Sequence, residues 1–172
     1  MNRTRMLSIL ALSTLALSAC SWFGNNAVEN AMEDRIQDET GQDADVQING
    51  DSMEVTTDEG TAKIGGDVPS DWPTDVPVYE GADVQYSGSQ NPANGRPGHM
   101  MVMQSTDSSE DVYAFYKQEL VNNGWTVESQ ANAAGASTLV AKKEGRTVSL
   151  LVTPVQDATA ISIGIEDDEV QE

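Results

Sequence analysis

His99-Met100-Met101-Val102-Met103 sets three of the chain's seven methionines beside its only histidine. Side chains alternate along an extended strand, so His99, Met101 and Met103 share one face. One imidazole and two thioethers form a donor set suited to monovalent copper. The same pattern also describes a core strand in which methionine fills irregular gaps, and that account covers Met100 and Val102 on the opposite face. Gap-filling is the reading adopted. No metal or other cofactor is assigned, and His99, Met101 and Met103 stand as the ligand set to test.

Other site chemistry finds little support. A single histidine and a single cysteine leave no multi-histidine zinc set and no Cys-His pair, and a Ser-His-Asp arrangement would rest on His99 alone. Two carboxylates could in principle cleave a glycoside, but 28 acidic residues give no reason to choose any two. Asp45, Gln47, Asn49 and Gly50 fall at calcium-loop spacing, yet the position that requires a bidentate glutamate holds Thr56. No catalytic residue is assigned, and the chain is read as non-enzymatic.

The one cysteine, Cys20, closes a basic start (Arg3, Arg5) and an apolar run from Met6 to Leu17. That run is too short for a hydrocarbon core that needs roughly 20 residues, so it reads as an export signal. Leu17-Ser18-Ala19-Cys20 resembles the lipobox of bacterial lipoproteins. The resemblance implies cleavage before Cys20, a diacylglycerol on its sulfur and an acyl chain such as palmitate on its new amino group. Two or more chains at about 0.8 kcal/mol per buried methylene anchor a protein stably. In Gram-negative lipoproteins an aspartate after the cysteine tends to retain the protein in the inner membrane. Ser21 therefore points to the outer membrane if the envelope is of that type.

Removing residues 1–19 leaves seven basic residues against 28 acidic ones, a formal charge of −21. Scattered cations among so many carboxylates argue against nucleic acid and against anionic headgroups as partners. The membrane is met through the lipid anchor, and an envelope protein is the partner expected. The fold must stand on an apolar core without disulfides, since the one cysteine carries lipid.

The elements that would carry these residues follow from periodicity. After the signal (1–19) and a lipidated tether (20–26), apolar residues at helical spacing predict a helix over 27–40. Period-two segments separated by Asn49-Gly50 and Asp58-Glu59-Gly60 predict a small three-stranded meander, completing a unit over 27–66. Three prolines make 67–81 an extended connector whose Trp72, Val76 and Val78 pack onto the next domain. In that domain, 82–166, two strands flank a Gly/Pro/Asn loop from Gly88 to Gly98. A helix follows, capped by Asp107 or Ser108, with Val112, Phe115, Tyr116 and Leu120 on one face and Gly124 as its stop. Strands at Trp125–Gln130, 138–143, 146–153 and 161–165 come next. The fold class expected is α+β, an antiparallel sheet with one packed helix in the order β-β-α-β-β-β, preceded by a short helix and the meander. The acidic tail 167–172 is expected to be disordered.

Phe115-Tyr116-Lys117-Gln118-Glu119-Leu120, Gly124-Trp125, Trp72-Pro73 and Pro77-Val78-Tyr79 resemble a pattern in small bacterial lipoproteins and other envelope proteins of unassigned activity. The function expected is a lipid-anchored, non-catalytic binding or scaffolding module of the cell envelope. The alternative is a periplasmic ligand or soft-metal handler.

Overall fold

Alternating apolar and polar residues dominate the chain from Ala44 onward, and nearly all of them enter one sheet. The structure, a computed structural model, describes residues 25–91 and 96–168. Cys20, the expected signal and the expected tether as far as residue 24 lie outside the described residues, as does the end of the acidic tail, whereas residues 25 and 26 of that tether already belong to a helix. Among the described residues no helix is long and apolar enough to cross a membrane.

Helix α1 (Asn25–Thr40) leads into strands β1 (Ala44–Asn49), β2 (Ser52–Thr57) and β3 (Gly60–Ile64). Strands β4 (Asp83–Asn91) and β5 (Arg96–Ser105) precede helix α2 (Ser109–Asn122). Then come β6 (Thr126–Ala133), β7 (Ala136–Lys143), β8 (Arg146–Val155) and β9 (Ala158–Asp167). All pairings are antiparallel, in the order β1-β2-β3-β4-β5-β9-β8-β7-β6. The class is therefore α+β, but the expected order lacked one strand: four follow α2. The meander is also not separate, because Ile64 pairs with Tyr86 and Ala62 with Gly88, which joins β3 to β4 in a single sheet.

Three further expectations change. The presumed loop 88–98 is largely strand, with Gly88 opposite Met100 and Ser89 opposite His99. The 67–81 connector is a chain of turns, since Trp72 N–H donates to Pro69 O and Val76 N–H to Pro73 O. Both prolines stand at the first position of their turns, where a carbonyl is needed and an N–H is not, and Ser70-Asp71 and Thr74-Asp75 fill the centres. Of the tail, Asp167 ends β9 and Asp168 is fixed, its carboxylate accepting from Thr147 Oγ1 at 2.6 Å and its N–H reaching Gly145 O.

Helix α2 forms where its caps dictate. Ser108 Oγ accepts from Asp111 N–H at the start. At the end, Gly124 takes φ +86°, so that Gly124 N–H reaches Val121 O and Trp125 N–H reaches Leu120 O, the paired bonds of a Schellman stop. Val112, Tyr116 and Leu120 are fully buried, whereas Phe115 is half-buried and packs edge-on against Tyr79 and Tyr116. Opposite the helix, cross-strand rows supply the floor: Met103–Ile161–Val152, and Met101–Ile163–Leu150–Leu139. Trp72, Val76 and Trp125 complete this core. Truncating a residue such as Leu120 in such packing costs about 2–5 kcal/mol.

Helix α1 protects the sheet edge. Glu33 Oε1 accepts from Val46 N–H at 2.9 Å and Glu29 Oε1 from Ile48 N–H at 2.7 Å, so carboxylates stand where a further strand would pair.

Candidate functional site

The sheet face under α2 ends, on the side of the Glu144-Gly145 turn, in polar residues. Ser89, His99 and Ile165 form one cross-strand row there, and Arg146 pairs with Asp167 in the next. Pro73 of the 67–81 strap overhangs them. Together with Gly98 they line an open cleft of about 380 Å³. Gly98 has no alternative at its position, because a Cβ there would collide with Ile165 O. The cleft has an apolar floor at Ile165, an apolar overhang at Pro73, and imidazole, guanidinium, hydroxyl and carboxylate around the rim. Such a rim can orient a polar group whose apolar part lies against the floor.

His99 Nδ1 stands 3.7 Å from Asp71 Oδ2, too far for a hydrogen bond and close enough for an ion pair when the ring is protonated. Its ring meets Trp72 edge-on, with centroids 6.2 Å apart. Met101 and Met103 lie on the same face of β5 as His99, but their thioethers are wholly buried against Ile163 and Ile161. The structure therefore brings His99 to the cleft and leaves both sulfurs in the core. Among the described residues no group of three or more His, Cys, Asp or Glu is placed to hold a metal ion.

Sequence reasoning missed the cluster that fixes the cleft's overhang. Asp75, in the strap, accepts from Arg146 Nη1 at 3.1 Å and Nη2 at 2.7 Å, and from Lys143 Nζ at 2.7 Å. The forked Arg146 contact, then Lys143, hold the Asp75 carboxyl at about 2 despite the opposing effect of partial burial. The same carboxylate raises the pKa of Arg146. Trp125 joins strap to sheet from below: its Nε1–H donates to Asp75 O at 2.9 Å, and the Arg146 guanidinium lies 5.1 Å from its ring centroid. The available signal was local. Lys142, Lys143 and Arg146 bracket one turn and are a third of the chain's nine basic residues. Their partner, some 70 residues earlier, carried no mark.

At the opposite end of α2, Tyr79 donates to Asp107 Oδ2 at 2.7 Å, and that bond, with burial, pushes its pKa up to about 12. Beside it Tyr116 is buried, its hydroxyl has no hydrogen-bond partner among the described residues, and burial drives its pKa far up. The Tyr79 backbone lies near enough to oppose that shift without closing a hydrogen bond.

These features define an antiparallel sheet gripping one helix, with a closed core and a rimmed cleft at one end. Residues 85–168, β4 through β9 with α2, match the model of a family described as START domain-like. The match spans just under half of the chain and makes this segment similar to that family. No curated protein and no solved structure matches the chain.

Proposed function

We propose that this chain is a lipid-anchored, non-catalytic binding module of the bacterial cell envelope, held by Cys20 and binding through the cleft beneath the strap. One observation carries the binding role: Ser89, His99, Arg146 and Asp167 converge over an Ile165 floor within the segment similar to START-like domains. The occupant that fits is small, with a polar end for the rim and a short apolar part for Pro73 and Ile165. Burial of Met101 and Met103 supports this reading over soft-metal handling, because exposing those sulfurs would open the core. The anchor is supported by Leu17-Ser18-Ala19-Cys20 and by a charge that gives the mature chain no other attraction to a bilayer.

Two experiments test the two halves. Cys20→Ser should move the protein from the membrane fraction to the soluble one, and a variant that stays with membranes as firmly as the parent refutes the anchor. A photo-crosslinking residue in place of Ser89 should capture an adduct in intact cells, while one in place of Val121, exposed on α2, should not. Equal labelling at both positions, or none at Ser89, refutes the cleft as the binding site.

A further inference from the structure

The outer face of the sheet, opposite α2, shows a charge pattern at odds with the rest of the molecule. Pairing register places Val46, Val55, Ala62, Gly88, Met100, Gly164, Ser149 and Val140 in one row across the strands. The adjacent row is Ile48, Met53, Ile64, Tyr86, Val102, Ser162, Leu151 and Thr138. Neither row contains a charged residue, in a chain with 28 carboxylates. Among the paired residues of β4, β5, β7, β8 and β9 described on this face, charges stand at its ends, with Asp83 at one and Glu166 and Lys142 at the other. Helix α1 packs on β1 and buries Val46, but beyond it Ile64, Met100 and Leu151 are 52%, 36% and 41% exposed.

We propose that this uncharged outer face is the surface through which two copies of the chain associate. Large exposed apolar side chains gathered on one face, with charge displaced to the rim, form the composition of an interface core. The net charge selects the partner. Two chains of this acidity repel wherever their surfaces present carboxylates, and this face is where they can meet without opposing any. A two-fold contact sets the same patch against itself, so a patch without charge carries no like-charge conflict. The area suffices. Six strands from β3 to β7 at about 4.8 Å spacing, and about 17 Å along each, give a footprint of roughly 500 Å². Side-chain relief raises that toward the ~800 Å² per partner of a standard interface. The contact lies on the face opposite the cleft, so it does not rest on the binding role proposed above.

The test uses the full mature chain carrying Cys20→Ser, which removes the lipid, in sedimentation equilibrium over a wide concentration range at low and at high salt. Reversible dimerisation that strengthens with salt is expected, because screening relieves the repulsion of the remaining surface. Leu151→Asp should weaken the dimer tenfold or more. Val121→Asp, equally accessible on the outside of α2, should leave it unchanged, with circular dichroism melts showing both variants folded. A chain that stays monomeric throughout, or two variants with equal effect, overturns the proposal. Flotation with phosphatidylcholine vesicles adds a further arm: binding of the Cys20→Ser chain that is lost in Leu151→Asp would assign the face to lipid and overturn it as well.

Discussion

Replacing Asp75 with asparagine keeps the shape of the strap and its backbone bond to Trp125 while removing the charge that Arg146 and Lys143 grip. The three side chains are each less than a third exposed, so the interaction is only partly screened. A carboxyl held at about 2 in the folded chain, against an ordinary value of about 3.9, corresponds to about 2 kcal/mol of stability. Its pH dependence has a definite sign. The folded pKa lies below the unfolded one, so the contribution is complete above about pH 5 and is lost as pH falls through the folded value. Linkage leaves roughly half of it at pH 3 and a few tenths of a kcal/mol at pH 2. Urea unfolding of parent and Asp75→Asn at pH 7 should therefore differ by about 2 kcal/mol, with the gap narrowing at pH 3. A gap of the same size at both pH values would refute the electrostatic account of the strap. A gap below about 0.5 kcal/mol at pH 7 would put the cluster among surface ion pairs of no consequence.

Tyr116→Phe removes a buried hydroxyl that has no partner among the described residues and should leave stability unchanged or raise it by about 1 kcal/mol. A loss above 1 kcal/mol in denaturant melts would reveal a partner, such as a buried water. Met101→Leu with Met103→Leu should cost under about 1.5 kcal/mol per site, as volume-conserving core changes do. Anaerobic titration with monovalent copper should show no submicromolar site in the parent, and stoichiometric binding lost in the double variant would restore the soft-metal reading. Trp125→Phe keeps an aromatic ring but loses the Nε1–H bond to Asp75 O and part of the buried indole. It should destabilise by roughly 2–3 kcal/mol, the lost hydrogen bond added to a core cavity, read from the same melts, and an unchanged midpoint would show that Trp125 holds neither strap nor core.

What could be read from the sequence was local. The cap at Ser108, the stop at Gly124 and the helical spacing of Val112, Tyr116 and Leu120 determine α2, because a helix needs only its own neighbours to close its hydrogen bonds. The hairpin after β1 and the turn at Glu144-Gly145 were legible for the same reason, although the first turn falls at Gly50-Asp51, one residue later than expected, because Asn49 still pairs with Ser52; both residues of the second turn take positive φ, and a glycine at one of them marks it. Pairing between distant strands was not legible. A period of two says which residues share a face but not which strand lies alongside, so the joining of β3 to β4 across the strap and the insertion of β9 between β5 and β8 came only from the tertiary structure. The candidate site follows that division. His99 stood out by its rarity, but its neighbours Arg146, Asp167 and Pro73 reach it from three other segments. Asp75 was one carboxylate among many until the fold set it between Arg146 and Lys143. The uncharged outer face was hidden as well. In the sequence Ser162 and Gly164 only alternate with the isoleucines of β9, and their alignment with Met100, Val102 and Leu151 makes that side apolar.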